Sequence, residues 1–394
     1  MDVVCHVITK LELGGAQEVA MRVVSGLDRR RFRPVLVAGP GGLLTDEARA
    51  LPGVEVQIVP SLIREIHPVQ DLKTVWSLVS LFRRLHPKIV HTHSSKAGIL
   101  GRVAAWLAGV PCILHTVHGY GVTPEQPFWM RRVVIAVERM VGRLTTRWIT
   151  VSHADRRQGV GWGLFTPSQV SIVRPGINPE PFATKAEAAE RQRFRATLGV
   201  GPTDLLVGMV ACLKPQKAPG DFVHVASIVC RRIPRARFIL IGDGILRPEV
   251  EALMLEYGVQ DRVSLMGWRR DVASLYQAMD VFLLTSRWEG LSCAVLEARA
   301  SRIPIVATRV GGVEEAIVEP VHGRLCRAGD VQDLAGRVCD ILEDEPYRRT
   351  LASGNEIFPE EFTINETVKQ YQSLYGYLLH VVHSRDHVMR WQTN

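Results

Sequence analysis

Cysteine is sparse in this 394-residue chain, and its seven members (Cys5, Cys112, Cys212, Cys230, Cys293, Cys326, Cys339) include no CxxC pair. That spacing argues against a disulfide framework and predicts reduced, mostly packed thiols in a cytoplasmic protein. Long apolar runs are missing too. None reaches the roughly 18–20 residues of a transmembrane helix. The first residues, 1 to 8, have no basic n-region and no small-residue cleavage site, so they read as a core strand and not as a signal peptide. No RNA-binding aromatic motif, zinc-finger spacing or basic repeat occurs, which sets nucleic acid aside as a partner. Acidic charge is scarce in one half only: residues 1–180 hold 22 Lys and Arg against 13 Asp and Glu, residues 181–394 hold 26 against 27. A basic half beside a neutral half predicts an anionic partner for one domain, such as a phospholipid surface or a lipid-linked phosphate.

The length is comfortable for two domains. Apolar strand-like runs alternate with helix-length segments at Val3–Ile8, Val35–Ala38, Val54–Val59, Ile89–His91, Ile113–Val117 and Trp148–Val151. They resume at Leu206–Val210, Phe238–Ile241, Val263–Leu265, Val281–Leu284 and Ile305–Ala307. This alternation predicts an α/β protein with parallel sheets covered on both faces. Between the two series, Pro175, Pro179 and Pro181 exclude helix interior and central strand, so the linker is placed at Arg174–Phe182.

Residues 286–300 carry the densest chemistry. The run Asp280–Ser286 reads as a buried strand that leads into Glu289-Gly290, and an apolar segment of helical length carrying Glu297 follows. The first N–H groups of a helix lack internal partners, and the aligned peptide dipoles put partial positive charge there. A diphosphate can therefore bind at Leu291, Ser292, Cys293 and Ala294, with Gly290 allowing close backbone approach. Glu297 lies about two helical turns from Glu289. The two carboxylates are too far apart to share a proton, which argues against a paired-carboxylate hydrolase.

Glu289-x7-Glu297, preceded by Ser286 and followed by Ala298-x-Ala300-x-x-Ile303-Pro304-Ile305-Val306-Ala307-Thr308, resembles the signature of the retaining, nucleotide-sugar-dependent glycosyltransferases of family 4, of the bacterial polysaccharide and glycolipid type. The resemblance covers nearly the whole chain. It implies the GT-B fold, two Rossmann-like doubly wound parallel-sheet domains facing across a cleft. The expected division is 1–178 on the acceptor side, 179–362 for the nucleotide sugar, and 363–394 containing a helix, from Thr363 to His380, that crosses back to the first domain. It also implies that Glu289 contacts hydroxyls of the donor sugar, Glu297 the ribose, and the amides between them the diphosphate.

Other residues fall at strand ends. Lys217, after the strand Leu206–Val210, can bring positive charge to a diphosphate. The family's partner arginine, five positions earlier, is here Cys212, which cannot form a guanidinium fork, and Lys214 is the candidate substitute. Gly14-Gly15 follows the first strand; the resemblance puts Gly15 near donor phosphates and acceptor, whereas the glycine spacing does not fit a dinucleotide site. His118 ends the strand Ile113–Val117, and the resemblance gives it the donor sugar and the reaction centre. His91-Thr-His93 also admits a barrel-metallohydrolase reading, but the later His and Asp strand ends that such a metal site requires are missing. Gly242 and Arg269 sit in loops after Phe238–Ile241 and Val263–Leu265, on the ligand-facing side of the second domain; the resemblance implies that the second loop holds the base, with Arg269 the candidate, and Gly311-Gly312-x-x-Glu315 matches a further loop. Pro127–Arg147 reads as one helix with Arg131, Arg132, Arg139, Arg143 and Arg147 among apolar residues. It either lies on anionic lipid or covers the sheet with a solvated Arg face.

The reading is a glycosyltransferase that moves a sugar, with retention, from a nucleoside diphosphate (UDP by default) to a lipid-linked or saccharide acceptor. It needs no metal cofactor. A cytoplasmic location, peripheral on the inner face of the membrane, is expected. The alternatives are a non-hydrolysing UDP-sugar epimerase and a catalytically silent nucleotide-sugar-binding protein.

Overall fold

The computed structural model describes residues 1–123, 125–184 and 187–391. Two compact units result, Met1–Gly176 with Thr363–Asn394, and Ile177–Phe362. The first therefore ends two residues before the 178/179 boundary read from the prolines.

The first unit contains seven parallel strands: β1 (Asp2–Ile8), β2 (Phe32–Ala38), β3 (Glu55–Ile58), β4 (Ile89–His93), β5 (Cys112–Val117), β6 (Arg147–Thr150) and β7 (Val170–Ile172), ordered β3-β2-β1-β4-β5-β6-β7. One face is mostly apolar, its buried polar pair being Thr92 and His115, which are hydrogen-bonded to each other at 2.9 Å. Cys5, Val7, Val35, Val37, Val90 and Ile113 pack there against Leu78 and Phe82 of the helix Pro68–Leu85 and Ala97 and Ala104 of the helix Ser95–Leu107. The other face is polar at its centre. His6 of β1 is in register with His91 of β4, and His93 with Thr116 of β5. Because side chains alternate along a strand, His91 and His93 share that face. The helix Ile364–Trp391 supplies Tyr371 and Tyr375, one turn apart, to cover it.

The second unit has six parallel strands, β8 (Leu205–Val210), β9 (Ala236–Ile241), β10 (Val263–Gly267), β11 (Val281–Leu284), β12 (Ile305–Thr308) and β13 (Gly323–Cys326), ordered β10-β9-β8-β11-β12-β13. Both units thus wind outward in two directions from a first strand. The switch points lie between β1 and β4 and between β8 and β11, and loops at the carboxyl ends of those strands are where doubly wound sheets bind ligands.

One expected element is shorter than the sequence suggested. The helix anticipated over Pro127–Arg147 spans Phe128–Gly142, and Arg147 is the first residue of β6, where its guanidinium donates to Ser171 Oγ at 3.0 Å and to the Ser168 carbonyl at 2.5 Å. Sheet pairing with β5 and β7 takes this residue out of the helix. The helix buries only part of its apolar surface: Ile135 packs against the core and Val141 is buried, whereas Phe128, Trp129, Val133 and Met140 are exposed.

Candidate active site

The second unit's switch point gathers the charged candidates. Lys217 ends a short turn after β8, Glu289 lies in the loop after β11, and their side chains form an ion pair. Three neighbours fix it. Ser286 Oγ donates to Glu289 Oε1 at 2.7 Å, and the Gln216 amide donates to Glu289 Oε2 at 3.3 Å and to the Trp288 carbonyl at 2.9 Å. Thr285 Oγ1 reaches the carbonyls of Lys217 and Ala218 at 2.9 and 3.0 Å. The two loops are thus tied together by side chain and backbone.

Behind the carboxylate, a Cβ on Gly311 would stand 1.8 Å from the Glu289 carbonyl oxygen, and φ there is +51°, so glycine is required on both counts. Gly312 N–H donates to the Gly290 carbonyl at 2.6 Å. These contacts bring the loop after β12 against the Glu289-Gly290 turn.

The helix Cys293–Ala300 starts directly after this turn, with Ser292 as N-cap in extended conformation. Leu291 and Ser292 are buried, and Cys293 and Ala294 are half-buried in the first turn. Glu297 lies on the same helix, and Tyr276 Oη is 3.0 Å from both its Oε2 and the Ala294 carbonyl. Glu289 and Glu297 accordingly have different partners, a lysine and a tyrosine.

Lys214 caps the turn that ends at Lys217: its N–H donates to the Cys212 carbonyl, and Lys217 N–H to the Lys214 carbonyl, both at 2.9 Å. Gly242, at φ +124°, donates to the Gly267 carbonyl at 2.8 Å, and a Cβ there would meet the Ala211 carbonyl at 2.0 Å. It shapes the crossing of the loops after β8, β9 and β10. Arg269 is engaged by Asp271, its Nε at 2.8 Å from Oδ1. That partner raises the guanidinium pKa and lowers the carboxyl's.

In the first unit, Gly15 is exposed at the start of the helix Gly15–Gly26, beside the switch point. His118 follows β5 and is half-buried, with Nε2 at 3.0 Å from His93 Nδ1. Burial lowers its pKa to about 4, so the ring is neutral at pH 7. His6, His91 and His93 offer nitrogens within 4.8 Å of one another, close enough for a metal trio. All six ring nitrogens, however, already have hydrogen-bond partners. Gln216, Tyr276 and His6 were not anticipated as members of these sites.

The chain matches the family Glycosyl transferases group 1 over residues 190–356 and Glycosyltransferase Family 4 over residues 13–181. It is 30% identical over 375 residues to the UDP-Gal:alpha-D-GlcNAc-diphosphoundecaprenol alpha-1,3-galactosyltransferase of Escherichia coli, covering 94% of this chain and 96% of that relative. The putative glycosyltransferase EpsD of Bacillus subtilis (strain 168) is 26% identical over 329 residues, 83% of this chain and 86% of the relative. Among solved structures, Anabaena Alr3699/HepE in complex with UDP-glucose superposes with a TM-score of 0.82 at 21% identity, covering 96% of this chain and all of that one. WaaG, a glycosyltransferase involved in lipopolysaccharide biosynthesis, gives 0.74 at 18% identity, covering 92% and 97%. These likenesses show the GT-B fold.

Proposed function

This chain belongs to glycosyltransferase family 4, and on that footing we propose that it transfers a sugar from a uridine diphosphate donor, with retention of configuration, to a lipid-linked diphosphate saccharide in bacterial glycan synthesis. The observation that carries this reading is the Lys217–Glu289 pair at the switch point, beside the first turn of the helix Cys293–Ala300. Lys217 and the amides of that turn stabilise the charge that builds on the departing diphosphate, the electrostatic form of catalysis. Glu289 holds hydroxyls of the donor sugar, Glu297 the ribose, and His118 a hydroxyl near the reacting carbon. The acceptor hydroxyl forms its new bond on the face from which the diphosphate leaves, and a departing phosphate oxygen takes its proton. No metal is needed where a lysine and fixed dipoles meet the phosphates.

The lipid-linked acceptor is supported by the diphosphoundecaprenol acceptor of the Escherichia coli relative and by the first unit's charge excess. The same unit exposes aromatic stripes. Val69, Leu72 and Trp76 line one side of the helix Pro68–Leu85, Trp106 ends the helix Ser95–Leu107, and Trp129, Val133 and Met140 line the helix Phe128–Gly142. These helices pack in sequence. None of the described helices is long and apolar enough to cross a membrane, so the expected association is peripheral.

The test is incubation of UDP-sugars with a polyprenyl-diphosphate-linked saccharide, followed by mass and anomeric NMR analysis of the product. An α-linked product from an α-donor, undiminished by exhaustive EDTA, agrees with the proposal. An epimerised donor or binding without turnover overturns it.

A further inference from the structure

The polar face of the first sheet carries a continuous hydrogen-bonded chain. Starting on the C-terminal helix, Tyr371 Oη is 3.1 Å from Thr116 Oγ1, which is 2.6 Å from His91 Nε2. His91 Nδ1 is 2.6 Å from Tyr375 Oη, which is 3.0 Å from His6 Nε2. His6 Nδ1 is then 3.0 Å from His93 Nε2, and His93 Nδ1 is 3.0 Å from His118 Nε2. Every member before His118 is buried.

A neutral imidazole has one N–H donor and one acceptor nitrogen, and a hydroxyl has one proton. Each ring therefore passes the direction of one bond on to the next, and each hydroxyl does so unless it accepts from both sides and leaves its own proton unmade. Burial keeps the rings neutral: His6 is lowered to about 3, and His91 and His93 well below their ordinary value. Six bonds use six of the seven protons, so one donor is left over: on His118 at the chain's end, or on one of the buried hydroxyls of Tyr375, Thr116 and Tyr371, where it has no acceptor. If donation ran from His118 inward, Thr116 would donate to Tyr371, and the buried Tyr371 proton would have no acceptor, since Thr116 is its one hydrogen-bond partner among the described residues. A buried donor left unmade is costly, whereas an oxygen that accepts nothing costs little. Donation therefore runs from Tyr371 outward.

We propose that Tyr371, Thr116, His91, Tyr375, His6 and His93 form a one-directional hydrogen-bond relay that holds His118 as the tautomer with its proton on Nδ1. His93 donates to His118 Nε2, so Nδ1–H is the group His118 presents, making it a hydrogen-bond donor and not a base. The six are positioning residues that act through His118. They also explain why the C-terminal helix returns two tyrosines to this face of the sheet. The catalytic consequence rests on the reading of His118 as a contact of the donor sugar; the tautomer itself does not.

The test is a long-range proton–nitrogen correlation spectrum of the histidine rings of the nitrogen-15-labelled full chain at pH 7, with the His118 signals assigned from their loss in His118→Gln. It needs no substrate. The expected result is a protonated Nδ1 and an unprotonated Nε2 at His118 in the wild type. Tyr375→Phe cuts the relay between His91 and His6, so the Nε2–H form of His118 should appear beside the first. In the same variant kcat should fall about tenfold while KM for the UDP-sugar stays within twofold. An Nε2–H ring in the wild type, ring signals unmoved by Tyr375→Phe, or stoichiometric metal in the purified protein each overturns the relay. The expected spectra with an unchanged kcat would leave the relay standing and overturn His118's place at the reaction centre.

Discussion

Lys217 and Glu289 lie 72 residues apart in the chain yet form an ion pair whose side chains are only 16% and 5% exposed. Removing one member leaves the other charged and unpaired where water is scarce, which costs on the order of 3 kcal/mol, while removing both costs less. Lys217→Ala is therefore expected to lower the melting temperature, and Lys217→Ala with Glu289→Ala to recover part of that loss while remaining inactive. Thermal unfolding and turnover of the three proteins check this. A double variant less stable than Lys217→Ala would contradict the cost assigned to the unpaired Glu289 carboxylate.

The Tyr276–Glu297 contact leads to a different expectation. Tyr276 is buried and its hydroxyl reaches both Glu297 and the Ala294 carbonyl, so it orients the carboxylate assigned to the ribose. A ribose contact persists through the reaction, and losing it weakens ground state and transition state alike. Tyr276→Phe should raise KM for the donor about fivefold, the equivalent of roughly 1 kcal/mol, with kcat within twofold. Glu289→Gln should lower kcat instead. Steady-state kinetics decide, and equal effects on both constants would remove the division of labour between the two carboxylates.

Parallel sheets were legible because buried strands read as continuous apolar runs, and eleven such runs appear as strands. Two strands escaped. Val170–Ile172 and Gly323–Cys326 lie at the sheet edges and are broken by Ser171 and by Gly323 and Arg324, so neither reads as a continuous apolar run. The motif residues Lys217, Glu289 and Glu297 stood out by spacing. Gln216 and Tyr276 did not, because a neutral side chain in a loop or apolar helix carries no signal until the fold places it beside a carboxylate. His6 looked like one polar interruption in a core strand; only its register with His91 shows that it belongs to a row. The available hint was the pairing of HxH on one strand with Tyr371 and Tyr375 one turn apart on the last helix. On the helix Phe128–Gly142, periodicity alone could not decide which face is covered, and the exposed Phe128 and Trp129 now favour an external partner.

The buried histidines also set a pH dependence. His6 and His118 are lowered to about 3 and about 4, and His91, His93 and His115 well below 6.5, in each case mainly by burial. Below the ordinary histidine pKa of about 6.5 the unfolded chain binds protons that the folded chain refuses, so stability falls as pH falls. Each group contributes up to about 1.4 kcal/mol per pH unit in that window. The melting temperature is expected to hold above pH 7 and drop steeply between pH 6.5 and 5, before most carboxylates titrate. Calorimetry across pH 5–8 tests this. A flat profile would mean that these rings are protonated in the folded state.

The exposed tryptophans give the last expectation. Trp76, Trp106 and Trp129 are 59%, 58% and 65% exposed on successive helices of the unit that carries the charge excess, and exposed aromatic stripes of this kind suit a surface with an apolar interior and an anionic rim. Arg132 and Arg143 are exposed beside them, whereas Arg131 is half-buried and Arg139 is held by the Trp162 carbonyl at 2.5 Å. Tryptophan emission should shift to shorter wavelength when vesicles containing anionic lipid are added, and salt should weaken the association, because screening shortens the reach of surface charge to about 8 Å near physiological ionic strength. Arg132→Glu with Arg143→Glu should lower vesicle binding and leave UDP affinity unchanged, since no residue assigned to the nucleotide is touched. Trp129→Ser should abolish most of the emission shift. If the wild type ignores anionic vesicles at low salt, the stripe has another occupant and an acceptor free of the membrane becomes the better reading.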